Sequence, residues 1–282
     1  MCIDLHTHSI YSDGSNTPEE LIQLAQGNGI TALSLTDHDT MQGVSELVAL
    51  GKKYHTNIIT GVEISARYNS QSLHILGYGI NPNNATFTQW LARLQDGREQ
   101  RNLKILHSLQ DFGIDITQEE VDKVSMTGLA GRPHFARLLI EKGVVKTFND
   151  AFRIYLGKGQ KAWHSRFCYS AIETIKTIHE AGGIAVLAHP GVIDHEHKRQ
   201  PAIIRELALY GLDGIEVIYP THSKKFQKTL LDLAEKHHLL VTGGSDYHGV
   251  TRPANRLAGL GGSICPPESL LPAILKKIAE YQ

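Results

Sequence analysis

The chain has 282 residues, of which 41% are hydrophobic, 20% charged and 7% aromatic, and its formal net charge is −1. That composition gives enough apolar mass for one sizeable core or a core with a smaller appendage, and it excludes a disordered chain or a small disulfide-stapled one. With 28 Lys and Arg against 29 Asp and Glu, no overall basicity advertises a stable nucleic-acid partner or an acidic membrane. Cys2, Cys168 and Cys265 form no CxxC pair, which excludes a cysteine-ligated zinc site and fits a reducing compartment. No apolar run approaches a membrane span, and MCIDLHTHS is too polar for a signal sequence, so a cytoplasmic protein without membrane contact is expected. The 16 histidines, against 7 Phe and 2 Trp, require a chemical reason.

Short apolar segments at Cys2–Leu5, Ala32–Leu35, Asn57–Ile64 and Ser72–Tyr78 read as strands, and the pattern resumes at Ile184–Ala188, Gly214–Ile218 and Leu239–Thr242. Between the first two lies TPEELIQLAQGNGI, in which Thr17 caps a helix, Pro18 takes its first position, Glu19 and Glu20 suit its positive end, and Gly27 and Gly29 stop it. The same logic recurs in YSAIETIKTIHEAGG and KKFQKTLLDLAEKHH. Alternation of this kind predicts an α/β fold with a parallel sheet, and about seven strands suggest closure into a barrel.

The stretch 81–166 differs. It shows helical patterns (QWLARLQDGREQRNLKILHSLQDFG, EEVDKV, RPHFARLLIEKG, FNDAFRIYLGKG) and no strand, and residues 91–166 carry a net +4 in a chain of net −1. It is expected to be a helical insertion over the barrel mouth, the barrel itself comprising 1–80 and 167–282.

Catalytic residues of a parallel barrel gather at the C-terminal strand ends. Here His6 and His8 alternate with Ile3 and Leu5, so both imidazoles project from one face, and Asp13 follows in the loop. Later strand ends carry Asp37, His38 and Asp39, then Glu63, His189, Glu216 with His222, and Asp246 with His248. One such residue is usually a hydrogen-bonded core group or part of a turn. So many strand ends offering N and O donors point instead to a metal site, because burying these groups without a cation is costly. His195 and His197, in DHEHKR, read as a solvated loop.

HTHSIYSDGS, TDHDT, the strand-end Glu63, AHP and GSDYH together resemble the PHP (polymerase and histidinol phosphatase) domain family, and the order of motifs is closest to its small stand-alone phosphoesterases. The resemblance implies a distorted seven-stranded (β/α) barrel and a trinuclear metal centre. Its ligand set falls on His6, His8, Asp13, His38, Glu63, His74, His189, Asp246 and His248. His74 is singled out by the resemblance alone, since it lies early in SLHILGYG. The pattern implies one ion on His6, His8, Glu63 and Asp246, a second on Glu63, His74 and His189, and a third on Asp13, His38 and His248.

Six imidazoles and three carboxylates without a thiolate suit three divalent ions, Mn²⁺ first and Fe²⁺ or Zn²⁺ as alternatives. Metal-activated hydroxide would then attack phosphorus. Asp13, His38 and His248 are expected to act directly in the reaction, and His222 to protonate the leaving oxygen or contact phosphate. Asp37 and Asp39 are candidates for orienting ligand imidazoles or for turn roles, and Glu216 for a structural strand-end carboxylate or a functional one. Arg101 with Asn102, and Arg132 with His134, are the candidates for a second phosphate and a sugar.

The expected substrate is a nucleoside 3',5'-bisphosphate losing its 3'-phosphate, pAp giving AMP. A 5'→3' exonuclease on short RNA oligonucleotides is the first alternative. A catalytically inactive, metal-binding regulatory module is the second, although no ligand position lacks a competent residue. Histidinol phosphate hydrolysis and cyclic amide hydrolysis fit the motifs less well.

Overall fold

The computed structural model describes residues 1–126, 129–194 and 196–282, so His195 lies outside the described residues. A three-stranded parallel sheet runs in the order β1 (Cys2–Thr7), β2 (Ile30–Leu35), β3 (Asn57–Ile58). A six-stranded sheet runs β6 (Tyr169–Ser170), β4 (Gly61–Tyr68), β5 (Gln71–Tyr78), β7 (Ile184–Leu187), β8 (Gly214–Ile218), β9 (Leu240–Gly243). Single bridges, Thr7 with Tyr247 and His38 with Glu63, link the two sheets.

Two expectations need correction. The strands are not all parallel, because β5 lies antiparallel to both β4 and β7. Only Asn69 and Ser70 separate β4 from β5, and Asn69 takes φ of 51°, a left-handed conformation that Asn tolerates and that turns the chain straight back. The segment 57–64 is also not one strand: it breaks at Ile59 and Thr60, which separates β3 from β4. The described residues therefore form nine strands, two of them only two residues long, where seven were expected.

Helix α1 (Pro18–Gly27) starts as its sequence predicts, with Thr17 and Glu20 in a reciprocal capping box. Helices α2 (Val44–Tyr54), α7 (Ala171–Glu180), α8 (Gln200–Leu209), α9 (Lys224–Lys236) and α10 (Leu271–Ala279) cover the sheets. Between β5 and β6 come α3 (Ala85–Asp111), α4 (Gln118–Ser125), α5 (Arg132–Glu141) and α6 (Phe148–Ala151), with a wider π turn following over Phe152–Leu156. No described helix is long and apolar enough to cross a membrane.

The 27 residues of α3 join two cores. Its first half puts Phe87, Leu91 and Leu94 into the principal apolar cluster with Ile64, Ile75 and Leu187. Its second half puts Ile105, Leu106 and Leu109 against Phe135, Leu139 and Leu156 in a separate cluster. Arg98, Arg101 and Asn102 are buried between these two anchor zones.

Cys2 and Cys265 are joined as a disulfide, and Cys168 is free, where three separate thiols were expected. The reason is long-range pairing that no local spacing reveals. The start of β1 lies against the 265–267 segment, with Ile3 N–H donating to the Pro266 carbonyl at 2.9 Å.

Gly244, after β9, packs directly on β1. A Cβ there would meet the His6 backbone nitrogen at 2.5 Å and its Cα at 2.9 Å. Gly244→Ala should therefore displace β1 and lower the unfolding free energy by about 1–3 kcal/mol or more, read from the urea midpoint against wild type.

Candidate metal centre

The centre is built around one carboxylate. Glu63, in β4, is fully buried and approached by five imidazoles. Its Oε1 lies 2.7 Å from His74 Nδ1, 2.9 Å from His189 Nε2 and 3.5 Å from His6 Nε2. Its Oε2 lies 2.8 Å from His38 Nδ1 and 3.4 Å from His8 Nε2. The five rings form a closed circuit, with neighbouring centroids 4.6–5.6 Å apart in the order His6, His8, His38, His74, His189 and back to His6. The sixth, His248, stacks on His8 at 4.0 Å.

Two further carboxylates flank the circuit. Asp246 Oδ1 reaches His8 Nε2 at 3.2 Å, His248 Nδ1 at 3.4 Å and His6 Nε2 at 3.5 Å. Asp13 Oδ1 reaches His248 Nε2 at 3.2 Å and His38 Nε2 at 3.7 Å. All nine residues expected as ligands are thus brought together. Donor atoms of eight of the nine fall into three groups, each within 4.8 Å: His8, Asp13, His38 and His248; His6, His8, Glu63 and Asp246; His38, Glu63 and His74; His189 joins none of the three but meets Glu63 Oε1 at 2.9 Å.

Divalent metal suits this donor set for a specific physical reason. His6 Nε2, His8 Nε2, His38 Nδ1, His248 Nε2 and Glu63 Oε2 are buried, and despite the close approaches between rings and carboxylates none of the five has a partner in hydrogen-bonding direction. Each such atom costs about 1–3 kcal/mol unless something satisfies it, and cations seated among them would satisfy all five. Burial alone would raise the Glu63 carboxyl's pKa, but His74, His38 and His6 outweigh it and hold the group well below the usual range. Burial and the neighbouring His248 push His8 the other way, well below the usual imidazole value, which leaves a neutral ring fit to donate a lone pair.

Contacts in the surrounding shell choose between the roles left open for three carboxylates. Glu216 is a positioning group: Oε1 lies 3.0 Å from His6 Nδ1, and Oε2 accepts the His189 backbone N–H at 2.7 Å. Asp37 touches no imidazole and instead accepts Ser9 N–H, Ser9 Oγ–H and Ser12 Oγ–H at 2.5–2.8 Å, fixing the loop that presents Asp13. Asp39 likewise holds no imidazole. It accepts from Arg98 Nη2 at 2.7 Å, Arg166 Nη1 at 2.8 Å and Ser65 N–H at 2.8 Å. Asp39, His189 and Asp246 all have positive φ, a strain of order 1–3 kcal/mol each that the fold sustains at the site.

Arginines gather on the α3 side. Arg101 is buried, its Nε donates to Asn102 Oδ1 at 3.0 Å, and its Nη2 has no partner. Burial, then the charges of Arg98, Arg166 and Arg132, depress its pKa well below the arginine norm. Arg132 is pushed down to about 10 by burial and by Arg166, Arg98 and Arg252. Asn102 Nδ2 donates to the Ala130 carbonyl, and His134 Nδ1 accepts the Gly131 N–H. A cleft of about 480 Å³ opens beside Arg98 and Asn102, edged by Thr40, Gln42 and Gln95.

His222 does not stand free as a proton donor. Its Nδ1 donates to the Val217 carbonyl at 3.0 Å and its Nε2 accepts the Gly191 N–H at 3.1 Å, so both nitrogens serve the backbone. Sequence reasoning did not single out Arg98, Arg166 or Arg252, the last paired with Asp246 Oδ2 at 2.9 Å. For Arg98 the signal was its place on the helix one turn before Arg101.

Residues 4–145 match the PHP domain family. The chain belongs to that family. It is 34% identical over 245 residues to a 5'-3' exoribonuclease of Haemophilus influenzae, covering 87% of this chain and 89% of the relative. It is equally 34% identical over 250 residues to a 3',5'-nucleoside bisphosphate phosphatase of Chromobacterium violaceum, covering 87% of each. A solved chain from Bifidobacterium adolescentis, described as a metal-dependent phosphoesterase, superposes with a TM-score of 0.86 at 30% identity over 97% of this chain and 95% of its own. This PHP protein is accordingly a metal-dependent hydrolase of phosphate esters.

Two variants probe the shell. Glu216→Gln removes the charge that fixes His6 and should weaken Mn²⁺ binding by roughly 10–100-fold in equilibrium dialysis, with the fold intact by circular dichroism. Asp39→Asn leaves Arg98 and Arg166 facing each other without their shared counter-charge, and should cost about 3–5 kcal/mol in urea unfolding.

Proposed function

We propose that this protein removes the 3'-phosphate from nucleoside 3',5'-bisphosphates, converting pAp to AMP and phosphate. The observation that carries this reading is the juxtaposition of two anion-attracting features. The imidazole circuit is one, because cations seated on its unpartnered nitrogens would draw a phosphate, and the buried Arg101 guanidinium, whose Nη2 has no partner, among Arg98, Arg132 and Arg166 is the other. A substrate with two phosphates answers both. A relative that carries the matching name supports the assignment.

In this reading His6, His8, Glu63 and Asp246 hold one divalent ion, Glu63, His74 and His189 a second, and Asp13, His38 and His248 a third, with Mn²⁺ preferred over Fe²⁺ or Zn²⁺. When bound, such ions supply Lewis acidity that acidifies water and offsets phosphate charge. The chain's own residues do the rest. Glu216 fixes the His6 ring through Nδ1. Arg101 and Arg132 take the 5'-phosphate, which relieves the mutual repulsion of the guanidinium groups. Asp39 restrains Arg98 and Arg166 so that the cluster holds its geometry before substrate arrives. The two bridged sheets enclose the centre as a distorted barrel, and 81–166 forms an insertion over its mouth.

Exonuclease action on short RNA is the second reading, favoured by the Haemophilus relative's name and by chemistry. The bond between phosphorus and the ribose 3'-oxygen is the same whether the phosphorus bears a free oxygen or a further nucleotide.

The test is phosphate release from pAp and from 3'-AMP by protein stripped of metal and reloaded with Mn²⁺. Chelation should abolish turnover and Mn²⁺ restore it. Arg101→Ala should lower kcat/KM for pAp by roughly 10–100-fold and that for 3'-AMP much less, as expected for loss of a charge-assisted contact to the second phosphate. Equal losses on both substrates would sink the two-phosphate assignment.

A further inference from the structure

We propose that Asp4, a buried carboxylate outside the imidazole circuit, is a positioning residue for the metal centre. It fixes the distance between the imidazoles of β1 and Asp246, and so sets the affinity for the cation shared by His6, His8, Glu63 and Asp246. The proposal rests on the metal assignment above and adds a residue to its support.

Asp4 has no solvent exposure. Its Oδ1 accepts the Ser245 N–H at 2.9 Å and the His6 N–H at 3.3 Å, and its Oδ2 accepts the Ser245 Oγ–H at 2.6 Å and the Ala258 N–H at 2.9 Å. These four donors are neutral. Burying a carboxylate among neutral donors is costly, so its place in the fold calls for a reason.

The reason lies in what it joins. His6 and His8 come with β1, whereas Asp246 and His248 come with the loop after β9. β1 belongs to one sheet, β9 is the edge of the other, and the two strands share no ladder among the described residues. One bridge crosses there, Thr7 with Tyr247, with the His8 N–H donating to the Tyr247 carbonyl at 2.9 Å. Asp4 spans the same seam with three of its four bonds. Two take Ser245, the residue before Asp246, and the third takes Ala258, beyond His248 and Arg252 on the same loop. One side chain thus pins that loop to β1 at both ends, and its fourth bond ties it to the His6 backbone.

Other groups aim the Asp246 side chain. Tyr219 Oη and Arg252 Nη1 both donate to Oδ2 at 2.9 Å, which leaves Oδ1 turned to His6, His8 and His248. They set its direction but not the place of its backbone, which has φ of 52° and needs outside restraint. Asp4 supplies that restraint through Ser245. Ligand distances at a divalent ion hold within about 0.2 Å, so slack in this seam reads out as lost metal affinity.

The experiment measures Mn²⁺ binding by equilibrium dialysis, the urea midpoint, and kcat for pAp in wild type and three variants. Asp4→Asn keeps the shape but turns one oxygen into a donor that faces a backbone N–H in either orientation. One Mn²⁺ should then bind roughly 10–100-fold more weakly while the others are retained, and excess Mn²⁺ should restore kcat. Ser245→Ala removes one of the four bonds, should weaken the same ion by a smaller factor, and serves if Asp4→Asn fails to fold. Cys2→Ser opens the same seam at the start of β1, where Cys2 joins Cys265, so it should lower the urea midpoint and leave Mn²⁺ affinity as in wild type. Unchanged Mn²⁺ affinity in Asp4→Asn overturns the proposal, or in Ser245→Ala where the former does not fold. Equal weakening in Cys2→Ser also overturns it, since Asp4 would then be one structural tie among several. If wild type binds Mn²⁺ but leaves pAp intact, the phosphatase reading falls, while dialysis still decides Asp4; if it binds no Mn²⁺, both fall.

Discussion

One buried carboxylate organises this molecule. Glu63 has no solvent exposure, and five imidazoles from β1, β5 and the loops after β1, β2 and β7 approach within 3.5 Å of its two oxygens. A charge buried so deeply is tolerable only when surrounded by opposite charge or by donors. That constraint reaches outward. Glu216 and Asp246 steady the rings on one side and Asp13 on another, while the His38–Glu63 backbone bridge ties the two sheets at the same residue. The site and the junction between the sheets are thus one construction.

Charge in the second layer follows a different rule. The guanidinium groups of Arg98 and Arg166 share one oxygen of Asp39, whereas Arg101 lies among them with no carboxylate of its own. An arrangement that leaves a cation underpaired in a buried place stores electrostatic free energy that only an incoming anion releases. In the proposed reading, the same imbalance that lowers stability would raise affinity for a ligand with a second phosphate. Positive φ at Asp39, His189 and Asp246 fits this pattern, with strain concentrated where side chains must be aimed rather than packed.

Much of this was legible in the sequence, and the reasons are local. The capping box at Thr17 and the alternation of His6 and His8 with Ile3 and Leu5 are written in consecutive residues. What was not legible depends on partners far along the chain. The antiparallel placement of β5 required giving Asn69 and Ser70 the weight of a hairpin. His74 lies mid-strand, where spacing gives no hint that its ring meets Glu63. Glu216 and His222 are both late strand-end polar groups, and only tertiary contacts tell them apart: one faces an imidazole, the other closes on backbone groups. The cysteines show the same limit, since Cys2 and Cys265 meet where the start of β1 bridges to Pro267, 263 residues apart in sequence.

Helix α3 has a consequence for how such a protein diversifies. Because its first half belongs to the principal core and its second half to the smaller one, the segment 81–166 is not a detachable module. Excising 81–166 would strip Phe87, Leu91 and Leu94 from beneath the sheet and open the core to water. Change is therefore cheapest at the far end, in α4 to α6, where residues can be exchanged or lengthened while the shared rod keeps Arg98 and Arg101 buried between the two cores. The helix acts as a common mounting rail, on which the far elements can be refitted without disturbing the core below.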